Sequence, residues 1–136
     1  MGTVFVEITL KNGGDLTSFQ RGYITDKDVR SLTVTALVDT GASTLVINDT
    51  ICQTLGLAIE KTSTATIAGG MKIDCKVTEP VRICWKDRDA ISPALVLPES
   101  EVLLGVIPLE AMDLIVDPVN HELAGAHGDK MVIRVM

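Results

Sequence analysis

From Met71 to Thr78 the chain alternates without a break: Met71, Ile73, Cys75 and Val77 are apolar, while Lys72, Asp74, Lys76 and Thr78 are polar. A period of two puts the two sets on opposite faces of a pleated strand, so this segment is expected as a strand with one wet face. Ahead of it, Thr62 to Ile67 is rich in Thr and Ala, and Ala68-Gly69-Gly70 supplies a turn. Together these make a long hairpin with a flexible tip, whose small residues can approach another backbone closely.

The same reading extends along the chain. Val4 to Leu10 alternates and reads as a half-buried strand that Asn12-Gly13-Gly14-Asp15 turns. Residues 16–30 show no period and are expected as a long loop or irregular hairpin. Leu32 to Val38 and Thr44 to Ile47 are strands. Asn48-Asp49 offers an N-cap for a short helix from Thr50 to Leu55, with Gly56 as its stop. Val81 to Trp85 and Ala90 to Leu97 form a second hairpin around Lys86-Asp87-Arg88-Asp89. Val102 to Gly105 is an apolar strand, and Pro108 suits the first turn of a helix through Met112. Leu114 to Val116 is a strand turned by Asp117 to Asn120, and the tail from Met131 to Met136 is β-like. Apolar residues make up 46% of the 136 and aromatics only 3%, so the core must be aliphatic and largely β-branched, which favours strand. At least eight short strands, two short helices and no repeat or linker imply one mainly-β domain over residues 1–136, a closed or partly closed barrel.

Chemistry is concentrated at Asp39-Thr40-Gly41-Ala42, directly after the apolar run Leu32 to Val38 and before Ser43-Thr44. A strand that ends in such a loop delivers one carboxylate onto a tight turn. Gly41 lets backbone amides reach that carboxylate, and the Thr40 hydroxyl can cross a dyad axis to lock two such loops together. Acid–base hydrolysis with paired carboxylates needs two of them about 3 Å apart, sharing a proton. The motif occurs once, so a catalytic Asp39 requires a second copy of the chain, and a homodimer is expected. Ala42 has no hydroxyl to donate to the carboxylate, which implies activity not confined below about pH 3.

Other function classes are disfavoured. The formal net charge of −6, with no basic run, argues against nucleic acid. No apolar run approaches the roughly 18 residues that span a bilayer, and no export signal is evident, so a cytoplasmic location is expected. Cys52, Cys75 and Cys84 are odd in number and read as reduced, packed thiols. His121, His127 and Asp129 lack a further ligand nearby and read as a solvated loop, so no metal and no organic cofactor is expected.

The chain resembles the retropepsin-like aspartic proteases, in particular the single-domain, homodimeric, bacterial-type members. The residues that carry the likeness are Leu37 to Ser43, the hairpin tip Ala68-Gly69-Gly70, Leu103-Leu104-Gly105 followed by Pro108-Leu109-Glu110, and Asp113 to Pro118. The resemblance covers most of residues 1–120. It implies a closed β-barrel with a flap hairpin, and Asp39 as the catalytic carboxylate of a peptidase. It also implies that Ala68, Gly69 and Gly70 close over an extended peptide as an added strand. Viral members carry an ion pair between two positions that are Ser43 and Val106 here; both partners are absent together. The competing reading is a catalytically silent dimer of the same fold that holds an extended peptide or partner strand without cutting it.

Overall fold

The computed structural model describes residues 3–67, 69–133 and 135. The chain opens with β1 (Phe5–Asn12), whose alternate side chains Ile8, Leu10 and Asn12 are buried. The expected turn at Asn12 is instead the start of a helix, α1 (Gly13–Gln20). The Asn12 side chain accepts from the Asp15 amide at 3.0 Å and so caps it. A single 3-10 turn, Asp26–Asp28, follows, and Asp15 pairs with Arg30 through both carboxylate oxygens, at 2.8 and 2.9 Å. The segment expected as a loop is thus largely ordered, held by a cap and an ion pair rather than by a buried face.

Next come β2 (Ser31–Val38), β3 (Leu45–Ile47) and α2 (Asp49–Thr54), capped by Asn48 and ended by Gly56 at φ 61°. The long hairpin is β4 (Ile59–Thr66) and β5 (Lys72–Thr78), in register from Lys61 opposite Val77 to Thr66 opposite Lys72. β6 (Val81–Trp85) and β7 (Arg88–Ser92) form the second hairpin. Its turn is shorter than expected because Lys86 takes φ 50°. Pro93 then separates β7 from β8 (Ala94–Val96). β9 (Leu103–Leu104) leads into α3 (Val106–Ala111), and β10 (Leu114–Asp117) pairs with β11 (Glu122–Gly125), a strand the sequence did not announce. Among the described residues, no strand follows Gly125, so the β-like tail is not seen as one.

Nine strands make one sheet in the order β4-β5-β8-β3-β9-β2-β1-β6-β7. The architecture is mainly β as expected, but the expected closed barrel is not formed, because the ends of the sheet, β4 and β7, do not pair with each other. β4 is exposed along almost its whole length, while β7 is met by buried hydrogen bonds from Arg88 to the residues that follow α3. Inside the curl of the sheet, Ile8, Leu10, Leu45, Ile47, Ile83 and Leu104 are fully buried in one aliphatic cluster. Each such side chain contributes about 1.5–3 kcal/mol by leaving water. No described helix is long and apolar enough to cross a membrane.

Candidate functional site

β2 runs between β1 and β9. It pairs with β9 in parallel, Leu37 opposite Leu103 and Val38 opposite Leu104. The chain leaves β2 at Asp39, loops through Ser43, and returns as β3 on the other side of β9, with Leu45 opposite Leu104. The loop therefore straddles β9, and β9 itself is two residues long because its next residue must turn beneath the loop.

Backbone hydrogen bonds lock this crossing. The Asp39 amide donates to Leu104 O at 3.0 Å, and the Ala42 amide donates to Asp39 O at 3.0 Å. The first two amides of α3, Val106 and Ile107, donate to Ala42 O and Ser43 O, each at 2.9 Å. These bonds join the two segments where the viral pattern has its ion pair. Gly105, at φ −90° and ψ −175°, is in ordinary extended backbone. Its lack of a side chain matters for space alone, since a Cβ there would meet Thr44 O at 2.5 Å and Ala42 O at 2.6 Å.

The half-buried Asp39 carboxylate accepts from the Gly41 amide at 2.9 Å. That bond fixes one oxygen, and Asp39 lines an open groove of about 480 Å³ together with Thr40, Val38, Val4, Val116 and Pro118. Thr40 and Gly41 are exposed, and Ala42 is half-buried. The sequence-predicted loop residues Asp39, Thr40, Gly41 and Ala42 thus form one turn held by backbone bonds, with Asp39 and Thr40 lining the groove.

The hairpin residues stand apart. Gly69 and Gly70 occupy the tip between β4 and β5 at φ 87° and 81°, a region that side chains rarely adopt. The tip is closed by the Gly70 amide donating to Ile67 O at 3.0 Å. Ala68 lies outside the described residues. Neither described tip residue lines the groove at Asp39.

Among the described residues, no group of three or more His, Cys, Asp or Glu could hold a metal ion. His127, expected in a solvated loop, lies exposed there, and its Nδ1 bonds to the buried Asp113 at 2.7 Å. Burial alone would raise the Asp113 carboxyl. The His127 ring, the Val132 amide and the nearby Arg88 outweigh that and bring it below the ordinary value. Burial pushes all three cysteine thiols up, which suits packing rather than nucleophilic chemistry. Sequence reasoning did not bring Arg88, Asp113 and His127 together, since they lie in no common motif and meet only through the tertiary fold.

A family model described as aspartyl protease matches residues 25–106, more than half of the chain. A comparison with curated proteins finds no match.

Proposed function

The chain belongs to the aspartyl protease family, and on that premise we propose that it is an endopeptidase assembled from two copies, each contributing Asp39. The observation that carries this reading is the Asp39 loop, a single carboxylate held by one amide, presented to an open groove and clamped from behind by β9 and α3. One carboxylate is half of what acid–base peptide hydrolysis uses.

In the proposed dimer the two Asp39 carboxylates share one proton, and the two Thr40 hydroxyls cross the dyad to hold the loops in register. The ionised carboxylate takes a proton from a water, which attacks the scissile carbonyl carbon. The protonated carboxylate donates to the carbonyl oxygen. As the tetrahedral species collapses, a proton passes to the departing nitrogen and the C–N bond breaks. Apparent pKa values belong to the pair and not to one residue. The substrate is an extended peptide, held by backbone hydrogen bonds from the hairpin tip at Ala68, Gly69 and Gly70 in the manner of an added strand. No metal or organic cofactor takes part. The location proposed is cytoplasmic, and residues 1–136 act as one domain.

The test is digestion of a peptide library across pH, read by mass spectrometry, for wild type and Asp39→Asn at several protein concentrations. Cleavage should vanish in the variant, and specific activity should fall on dilution below the dimer dissociation constant. Cleavage by Asp39→Asn at the wild-type rate would refute the mechanism. Binding of extended peptides without cleavage by either protein would favour the silent dimer.

A further inference from the structure

Helix α3 has two differently secured ends. At its start, Val106 and Ile107 hold the Asp39 loop through the 2.9 Å bonds to Ala42 O and Ser43 O. At its end, the chain passes through the fully buried Met112 to Asp113, a non-glycine residue at φ 56°. A left-handed residue of this kind persists only where its surroundings over-determine it. What surrounds it is the guanidinium of Arg88, which is 4% exposed. Arg88 Nη1 donates to Met112 O at 3.1 Å and to Asp113 O at 2.7 Å, the carbonyls at the end of α3, where a positive charge is favoured. Arg88 Nη2 donates to Gly128 O at 2.6 Å.

The Asp113 carboxylate does not bond to Arg88 directly, since the shortest separation is 3.9 Å. Its oxygens are taken by His127 Nδ1 at 2.7 Å and by the Val132 amide at 3.1 Å, while the Ala126 amide donates to Asp113 O at 2.8 Å. The segment from Ala126 to Val132 is therefore a collar around the guanidinium. This buried arginine thus ties the start of β7 to the end of α3 and to Gly128 through three backbone carbonyls.

We propose that Arg88 is a positioning residue for the Asp39 loop, acting through helix α3. Six residues of helix span about 9 Å, too short to bend, so a shift at Met112 is passed on to Val106 and the loop it holds. The collar, through His127 and Asp113, keeps the guanidinium aimed. The activity arm of the test rests on the peptidase reading; the exchange arm does not.

The experiment compares full-length Arg88→Lys, His127→Ala and His127→Asn with wild type. It measures amide hydrogen exchange at Gly41, Ala42, Val106 and Ile107, together with kcat and KM on a cleaved peptide. Arg88→Lys keeps the charge but cannot reach three carbonyls, so exchange at these amides should quicken about tenfold or more, a factor of the size expected for a hydrogen bond to a charged group. The core amides of Ile8 and Ile83 should hold. The loss should fall on kcat rather than KM, because a misplaced carboxylate costs transition-state stabilisation. His127→Ala should show the same effects in weaker form, and His127→Asn should return exchange and kcat toward wild type, since its amide nitrogen takes the place of Nδ1 and can still donate to Asp113. Unchanged loop exchange and unchanged kcat in a folded Arg88→Lys would overturn the proposal. If that variant does not fold, His127→Ala decides: loop exchange equal to wild type and to His127→Asn would overturn it. If wild type cleaves nothing while loop exchange still responds to these substitutions, the positioning role stands and the peptidase reading fails.

Discussion

A methyl group added at Gly105 probes how tightly the loop and α3 are joined. The backbone there lies at φ −90° and ψ −175°, which alanine adopts freely, so Gly105→Ala would gain about 0.4–1 kcal/mol from a less flexible unfolded chain if space allowed. Space does not allow it. The new carbon would lie 2.5 Å from Thr44 O and 2.6 Å from both Ala42 O and the Thr44 nitrogen, all backbone. Ordinary contact begins near 3.4 Å, so the loop must retreat by about 0.9 Å. That retreat would stretch the two 2.9 Å bonds from Val106 and Ile107 past hydrogen-bonding length. Two lost bonds cost about 0.5–1.5 kcal/mol each, and overpacking costs about 1–3 kcal/mol. Set against the entropy gain, the net loss is about 1–5.6 kcal/mol, a sizeable part of a total stability of about 5–15 kcal/mol. With a slope of about 1–3 kcal/mol per molar urea, a mid-range loss of about 3 kcal/mol lowers the unfolding midpoint by about 1–3 M, and the smallest loss lowers it by about 0.3 M. Peptide cleavage should fall about 100-fold, the scale of a 1 Å misplacement. A midpoint equal to or above that of wild type would refute the reasoning, because the sign itself would show that the loop yields at no cost.

Two further outcomes follow from residues far from Asp39. Arg30, bonded to Asp15, holds that carboxyl below its ordinary value of 3.8, so the pair stabilises fully above this pH and its contribution is lost as acid is added through the lower, folded-state value. Urea midpoints of wild type should therefore fall between pH 5 and pH 3 more steeply than those of Asp15→Asn, and equal slopes would contradict the pairing. Asn12→Ala should cost about 2–4 kcal/mol in the same assay, since it removes both the cap of α1 and a buried 2.8 Å bond to Leu55 O. A loss below about 0.5 kcal/mol would show that the cap is dispensable.

Much of the fold is legible because it is written locally. The alternation at Met71 to Thr78 is β5, Asn48 and Gly56 bracket α2, and the apolar run before Asp39 is β2. What escaped depends on distant partners. Helix α1 has no buried residue and hence no apolar stripe; it is held by Asn12 and by the Asp15–Arg30 pair. Strand β11 is four residues of mixed character that exist by pairing with β10. Barrel closure depends on whether two edges meet, and no period within a strand encodes that. The loop at Asp39 was readable, and Gly105 was marked by its place after Leu103-Leu104. The reason for that glycine, a backbone crossing less than 3 Å away, appears only in three dimensions.

The parallel pairing of β2 with β9 has a consequence for the order of events during synthesis. Val38 and Asp39 find their partners at Leu104, long after β1 and β2 have emerged and paired. Closing so long a loop is slow, and its entropic cost comes before any packing rewards it. Until Leu103 to Ile107 leave the ribosome, nothing clamps the turn at Asp39 from behind. A nascent chain thus carries the Asp39 carboxylate on an unformed turn, and the loop takes its final shape only once synthesis has passed the helix that completes it.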